Sequence, residues 1–141
     1  MKIATIEDTT EIVEMAMKFM ATTGYTEYSN EETITQLVNN ILTGQQNEMI
    51  ILLKSGVGFL AGMRSPFVFG PHFIASEIAW WIEPDKRKEG TGAELVEAFE
   101  YWAKNVAGCT MITLTALDDS VGKFYEKKGY KLYERAYMKQ L

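Results

Sequence analysis

Apolar residues recur every three or four positions in two segments near the start of the chain, which is the spacing of amphipathic helices. The first segment begins at Asp8, where an aspartate followed three residues later by Glu11 is typical of a helix start, and Gly24 is its expected end. The second segment opens with the similar sequence Ser29-Asn30-Glu31-Glu32 and ends at Gly44. The apolar face of the first helix comprises Ile12, Met15, Ala16, Phe19 and Met20.

Short runs rich in β-forming residues follow these two helices. Met49–Lys54 and Val57–Arg64 flank the turn signal Ser55-Gly56, so we expect them to pair as a hairpin. Phe73–Ile82 is predicted to form a longer strand, which must end before Pro84 because proline cannot donate a ladder hydrogen bond.

The second half of the chain alternates helical and extended patterns. A third amphipathic helix is expected from about Gly92 to Val106, a strand at Met111–Leu117, a short helix at Ser120–Lys128 and a final strand at Tyr130–Lys139. With a short extended run at Lys2–Ile6, the order becomes β-α-α-β-β-β-α-β-α-β, which is typical of a mixed α/β (α+β) domain.

Composition narrows the functional classes. A chain of 141 residues with 47% hydrophobic residues is long enough for one core, and its net charge of −5 argues against nucleic-acid binding. Cys109 and His72 are the only cysteine and histidine, so no metal-binding cluster is expected. The longest apolar run, Met49–Leu53, is far shorter than the about 20 residues of a spanning helix. We therefore expect a soluble cytoplasmic protein with neither a membrane nor a nucleic acid as partner.

The most informative segment runs from Glu77 to Leu95, where a strand leads into a tight loop and two glycines open a helix. Glycines let backbone N–H groups approach an anion, and a helix N-terminus adds partial positive charge. Lys86–Lys88 adds three cations at the same turn. The combination suits a pyrophosphate, although Gly90 and Gly92 are also explained as residues that only shape a strand-to-helix turn.

Three segments of this half of the chain resemble those of a known family. Arg87-Lys88-Glu89-Gly90-Thr91-Gly92 looks like an Arg/Gln-x-x-Gly-x-Gly/Ala motif, and Asp118–Tyr130 resembles an Asn-x(6)-Tyr-Glu-Lys-x-Gly-Phe segment. Trp80-Trp81-Ile82-Glu83-Pro84 is similar to a strand that pairs with a pantetheine arm. These are features of the GNAT N-acetyltransferase superfamily, which binds acetyl-coenzyme A, and the order of elements follows that family over about residues 2 to 140.

The resemblance implies one GNAT domain over residues 1–141. Its fold would be a single mixed, mostly antiparallel sheet, splayed between strands four and five and flanked by about four helices. Acetyl-CoA would be the co-substrate, and no metal is implied. The residues that the resemblance assigns to cofactor binding are Trp80, Trp81, Ile82, Arg87, Lys88, Glu89, Gly90, Thr91, Gly92, Ala93, Asp118 and Tyr125.

In such enzymes the amine attacks the thioester directly, and a backbone N–H near strand four can stabilise the oxyanion. Tyr125 matches the family tyrosine beside the sulfur, and a phenol stays protonated at neutral pH and can donate a proton. Glu77 is the candidate base, directly or through water. The alternatives are that Tyr125 is a core residue of a short helix and that Glu77 is a solvated strand-end carboxylate. His72, which follows Gly70-Pro71 in an expected hairpin turn, is the weaker candidate base.

Acceptor specificity is expected from the first two helices and their loop, Met20–Glu32. Within it, Tyr25, Glu27 and Tyr28 offer aromatic and anionic groups that suit a positively charged small-molecule or peptide amine. Phe67, Phe69 and Phe73 could wall this pocket, form a dimer contact or pack the hairpin, so a homodimer is left open.

Three functions are compatible with the sequence. The leading one is acetyl-CoA-dependent transfer to a primary amine. Two departures from the family motifs favour a catalytically weak or inactive CoA-binding module: Glu89 puts a carboxylate near the pyrophosphate, and Asp118 replaces an asparagine that could donate. A third departure is Lys88, which stands where glycine is common. A non-enzymatic interaction domain is the remaining alternative.

Overall fold

The computed structural model describes residues 1–141 as five strands and four α-helices with three single-turn 3₁₀ helices. The strands are β1 (Lys2–Ile3), β2 (Met49–Lys54), β3 (Gly58–Pro66), β4 (Phe73–Ile82) and β5 (Met111–Thr113). The α-helices are α1 (Thr9–Ala21), α2 (Glu31–Thr43), α3 (Thr91–Asn105) and α4 (Asp119–Lys127). The 3₁₀ turns are Ile6–Asp8, Thr26–Tyr28 and Pro84–Lys86.

The strands form one sheet in the order β1-β2-β3-β4-β5. The first four pair antiparallel, while β4 and β5 pair parallel over only three residues of each strand, Ile74–Ser76 against Met111–Thr113. Beyond Ser76 the two strands part, so the edge of β4 from Glu77 to Ile82 has no strand neighbour on the β5 side. This confirms the predicted mixed, mostly antiparallel sheet that is splayed between strands four and five.

A β-bulge in β4 lies at the point where the strands part. Ala61 pairs with Ala79 and Gly62 pairs with Glu77, which leaves Ile78 as an extra residue on β4. A bulge bends its strand and increases the local twist, so side chains beyond it are re-aimed. The bulge and the divergence from β5 together open the sheet on one side.

The core fills both faces of the sheet, because alternate residues of β2 point to opposite sides. Ile51 and Leu53 pack with α1 and α2, whereas Ile50 and Leu52 pack with α3. Gly62 lies directly under the ring of Phe99, and a side chain at position 62 would overlap that ring. This close approach holds α3 against β3 and thereby fixes the position of the α3 N-terminus. No helix of the chain is both long and apolar enough to cross a bilayer.

The predicted final strand, Tyr130–Lys139, does not form. Lys131–Leu141 has no regular secondary structure, and its backbone makes no hydrogen bond within the chain. The alternation of apolar and polar residues there is typical of an extended backbone, but a strand also needs a neighbour to pair with. This segment does not pair with the three-residue β5. Its Met138 lies instead near Gly24, in the loop after α1. The side chains of the segment are exposed.

Two further local predictions need correction. Asp8 occupies the N-cap position of α1 as expected, but its side chain makes no bond to that helix; the carboxylate accepts from the Thr5 amide at 2.8 Å and so caps the preceding 3₁₀ turn. Glu11 likewise bonds the hairpin turn, accepting from the Ser55 hydroxyl. Strand β5 ends at Thr113, four residues before the predicted Leu117, because the chain turns away from β4 there. Asn30, in contrast, caps α2 as expected, with its side-chain oxygen 2.8 Å from the Thr33 amide.

Candidate active site

A cavity of about 820 Å³ opens where β4 and β5 part. Its walls come from four places: the end of α1 and the loop after it, the second half of β4, the turn that leads into α3, and the segment from β5 into α4. Pockets that bind small molecules have volumes of roughly 300–1,000 Å³, so this cavity is large enough for a ligand.

The turn Arg87–Ala93, called the anion bend below, presents backbone donors to this cavity. None of its seven N–H groups donates to an acceptor in the chain, and the first bond of α3 is made by the Glu94 amide to Gly90 O. Gly90 is the N-cap, with φ of +89°, and it offers no side chain to cap the helix. Free amides at the positive end of a helix dipole form an anion-binding site, so the anion bend fits a diphosphate.

The two glycines of the bend serve different purposes. Gly90 has open space where a Cβ would lie, but its left-handed φ disfavours any side chain. Gly92 is needed for close packing, since a Cβ there would lie 3.0 Å from the Trp80 ring. Lys88 is also left-handed, with φ of +68°, which explains why glycine is common at this position in the family motif.

The cations of the bend lie at its rim. The Arg87 side chain folds back onto β4, where Nε donates to Ile82 O at 3.0 Å and the guanidinium stacks over the Trp81 ring at 4.9 Å. Arg87 and Lys88 both line the cavity, whereas Glu89 is exposed and does not. Glu89 therefore lies outside the cavity wall, and the two charged residues of the bend that do line the cavity are both cations.

Aromatic rings form the floor between the bend and α4. Trp80 stacks on Phe124, with ring centroids 5.7 Å apart, and lies 5.8 Å from Tyr125. Asp118 caps α4, because its carboxylate accepts from the Val121 amide at 3.0 Å and from the Ser120 hydroxyl at 2.7 Å. These bonds, the Ser120 hydroxyl first, lower the pKa of Asp118. The carboxylate lines the cavity as an acceptor that is already committed to the helix.

Glu77 is the titratable side chain at the base of the splay. Its carboxylate accepts from the Thr115 amide at 3.1 Å, across the gap between β4 and β5. Burial raises the pKa of Glu77 from 4.5 to about 7, against the opposing effect of that hydrogen bond. A carboxyl group with a pKa near neutrality in a cavity is suited to accept a proton at physiological pH.

Tyr125 lies behind the cavity wall rather than on it. The side chain is buried, and its hydroxyl donates to Thr115 O at 3.1 Å. Burial, followed by the negative charge of Glu77, raises the pKa of Tyr125, so the phenol is protonated throughout the neutral range. Thr115 therefore links the two candidate catalytic groups, donating to Glu77 through its N–H and accepting from Tyr125 through its carbonyl.

The structure brings most of the sequence-predicted site residues to one cavity. Nine of the twelve cofactor candidates line it; Glu89, Thr91 and Tyr125 do not. Of the acceptor candidates, Tyr25 lines it, while Glu27 and Tyr28 are exposed residues of the adjacent 3₁₀ turn. The nine that line it are Trp80, Trp81, Ile82, Arg87, Lys88, Gly90, Gly92, Ala93 and Asp118.

Sequence analysis expected the acceptor site within Met20–Glu32 but singled out neither Phe19 nor Met20, Thr22 or Thr23 as lining residues. Phe19, Met20, Thr22 and Thr23 line the cavity together with Tyr25, and these five residues are called the α1 wall below. Phe19 and Met20 follow the helical apolar spacing, which predicts a core position equally well. The available signal was the wide apolar stripe of α1, which runs one turn past the residues that the core buries.

The sequence profile of the Acetyltransferase (GNAT) domain matches residues 45–132, more than half of the chain. The chain belongs to the GNAT acetyltransferase family. The match spans the anion bend, the splay and α4, whereas the α1 wall lies before it. No curated protein sequence matches the chain.

Solved structures share the GNAT fold over nearly the whole chain. A transcriptional regulator from Bacillus halodurans C-125 is 20% identical, with a TM-score of 0.77 over 99% of this chain and 97% of that chain. The aminoglycoside N-acetyltransferase AAC(6')-Iy, in complex with the bisubstrate analog CoA-S-monomethyl-acetylneamine, is 16% identical, with a TM-score of 0.75 over 99% and 95%. A ribosomal-protein-alanine N-acetyltransferase from Brucella melitensis biovar Abortus 2308 is 14% identical, with a TM-score of 0.71 over 99% and 98%. At these identities the likeness establishes the fold.

Proposed function

We propose that this GNAT domain is an acetyl-CoA-dependent N-acetyltransferase that transfers an acetyl group to a primary amine by direct attack in a ternary complex. The observation that carries the proposal is the anion bend, whose seven consecutive amides have no acceptor within the chain and five of whose residues line a cavity of about 820 Å³. Such an array suits the diphosphate of a CoA thioester, and the free edge of β4 offers backbone groups to its pantetheine arm.

Glu77 is assigned the role of general base. The acceptor enters as an ammonium ion, and it must lose a proton before its nitrogen can attack the thioester carbonyl. Glu77 takes that proton, directly or through one water, and its raised pKa matches the task. Attack on the carbonyl forms the C–N bond and an oxyanion, and the C–S bond breaks when this intermediate collapses. The nitrogen loses a second proton to become an amide, and the departing CoA thiolate takes up one proton, so the reaction releases one proton in all.

Tyr125 is assigned the role of proton donor to the thiolate. Its phenol is protonated at neutral pH, as a donor requires. To donate to sulfur, the hydroxyl has to exchange Thr115 O for the leaving group by a rotation about its C–O bond. The proposal therefore requires the thioester sulfur to come within hydrogen-bonding distance of the Tyr125 hydroxyl.

The second candidate is a CoA-binding module with weak or no turnover. It is favoured by the same Tyr125 hydrogen bond, since a hydroxyl that is satisfied by Thr115 O and lies behind the cavity wall can serve packing alone. Nothing in the chain favours a purely structural interaction domain over these two.

Calorimetry with acetyl-CoA and thiol release across a panel of primary amines test the proposal in turn. Binding with turnover supports the transferase; binding without turnover supports the module; absence of binding at millimolar acetyl-CoA overturns both. In the active protein, kcat/KM should rise with pH to a plateau above about pH 7, the pKa of Glu77.

The variant Glu77→Gln should lose about 100-fold of its activity near pH 7.5, the lower end of what a general base contributes. Higher pH should restore part of the loss, because more acceptor is then deprotonated in solution. Glu83→Gln is the matched control, since Glu83 pairs with Lys18 outside the cavity wall. A loss in Glu77→Gln that higher pH does not restore would contradict the role of Glu77 as a simple base.

Other expectations stay predictions. They are the extent of the domain over residues 1–141, the contacts of individual cofactor residues, a small-molecule or peptide amine as acceptor, a homodimer and a cytoplasmic location.

A further inference from the structure

The α1 wall is the part of the cavity that the anion bend leaves to the acceptor, and it carries no charge. Its five residues are two apolar side chains, two threonines and one tyrosine. The charged residues of the cavity lie elsewhere: Arg87 and Lys88 at the bend, Asp118 at the cap of α4, and Glu77 on β4. Only Glu77 remains to meet the ammonium group of an acceptor, because Asp118 is committed to helix capping.

The polar groups of the α1 wall are also largely satisfied within the chain. The Thr22 hydroxyl donates to Phe19 O at 2.7 Å, and the Thr23 hydroxyl donates to Met20 O at 2.9 Å. A ligand therefore meets Phe19, Met20, the ring of Tyr25 and two threonines whose hydroxyls already donate to the helix. A second ammonium or a ring of hydroxyls placed against such a wall loses its hydration without gaining partners.

The acidic residues near this wall do not reach the cavity. Glu27, Glu31 and Glu32 are exposed, at the 3₁₀ turn and the first turn of α2, and none lines the cavity. Charges exposed to solvent are screened by salt and add little to the binding of a polycation. The anionic acceptor site that the sequence suggested is therefore reduced to one carboxyl group.

We infer that the acceptor of this chain is a monoamine carried on an apolar or aromatic body, rather than a polyamine or an amino sugar. The inference rests on the proposed transferase function. Glu77 takes one proton from the single ammonium group, and the body of the acceptor packs against Phe19, Met20 and the ring of Tyr25. An unbranched, adaptable side chain such as Met20 suits an apolar body of variable shape.

The test compares kcat/KM for 2-phenylethylamine, spermidine and neamine, measured as CoA released from acetyl-CoA. We expect 2-phenylethylamine to exceed each of the other two by at least about tenfold, with the difference mainly in KM. A higher value for spermidine or neamine would overturn the inference and leave the transferase function intact.

Variants at α1 make the test specific to the wall. Met20→Glu places a carboxylate in the cavity and should shift the ratio of kcat/KM values towards spermidine by about tenfold, whereas Met20→Leu should leave it unchanged. Met17→Glu is the matched control, because Met17 lies on the exposed face of α1 outside the cavity. An equal shift in Met17→Glu and Met20→Glu would mean that long-range charge, and not the wall, sets the preference.

Binding separates failure of the inference from failure of the proposed function. If acetyl-CoA binds but no amine is acetylated, the proposed function fails, and calorimetry of each amine with the CoA-loaded protein then decides the inference. Binding of 2-phenylethylamine in preference to spermidine and neamine would still support it. Preference for either of the others, or no binding of 2-phenylethylamine, would overturn it.

Discussion

The anion bend and the α1 wall face the same cavity but are built in different ways. The bend uses main-chain amides, which are set by one left-handed glycine, one close-packed glycine and the start of α3. The α1 wall uses side chains, and its two threonine hydroxyls donate to carbonyls of α1. A site made of backbone depends on conformation, whereas a site made of side chains depends on residue type. Binding at the bend should therefore be sensitive to substitutions that change φ, and binding at the α1 wall to substitutions that change charge or polarity.

The largest expected effect is on turnover and concerns Tyr125, the proposed proton donor. Tyr125→Phe should lower turnover about 100-fold and leave the affinity for CoA within about twofold, because only the proton donor is lost. Steady-state kinetics and calorimetry measure the two quantities. Tyr130→Phe is the matched control: Tyr130 lies 6.0 Å from Tyr125, centroid to centroid, and its hydroxyl donates to Glu100 at 2.8 Å. A Tyr125→Phe rate equal to that of the unmodified protein would remove Tyr125 from the mechanism.

The next effect is on stability and concerns Glu77. A carboxyl with a pKa of about 7 in the folded chain and 4.5 in the unfolded one stabilises the fold fully below pH 4.5, and this contribution is lost as pH rises through 7. The loss is at most about 3 kcal/mol and about 2 kcal/mol after allowance for partial exposure. Relative to the unmodified protein, Glu77→Gln should therefore gain about 2 kcal/mol between pH 5 and pH 8, measured by urea unfolding. Parallel pH curves would mean that Glu77 ionises normally.

The anion bend should respond to conformation. Gly90→Val should weaken CoA binding by at least about tenfold, since a β-branched residue disfavours φ of +89° and the turn must rearrange. Gly108→Val is matched to it, because Gly108 also has positive φ and open space at its Cβ but lies outside the cavity. Both variants should lose stability; a similar loss of CoA affinity in Gly108→Val would show that affinity tracks stability and not the bend.

The smallest expected effect is on CoA affinity and tests whether the cations of the bend or its backbone conformation determine that affinity. Lys88→Gly relieves a left-handed φ of +68°, which costs about 1–2 kcal/mol for a residue with a side chain, but removes one cation from the rim. If backbone amides dominate, CoA affinity should stay within about threefold of the original or improve. A loss beyond tenfold, restored by Lys88→Arg, would assign the binding to the side chain instead.

The sequence predicts the cofactor side of the cavity better than the acceptor side. Gly90 and Gly92 mark a conformation that few other residues allow, so a local motif carries the information. Phe19 and Met20 carry no such conformational information, because an apolar residue on α1 packs equally well in a core or on a cavity wall. The splay of β4 from β5 is what turns this part of α1 into a cavity wall. The bulge at Ile78 and the missing final strand depend in the same way on pairing across the sheet, which alternation along one strand does not specify.

The extended segment Lys131–Leu141 has a consequence for handling the protein. With no backbone hydrogen bond in the chain, its amide protons should exchange with deuterium at the rate of an unfolded peptide, while those of β2 to β4 are protected by the sheet. Trypsin should cut after Lys131, Arg135 and Lys139 before any site within the helices and strands. Every residue of the cavity wall precedes this segment, so the clipped protein should still retain its ligand site.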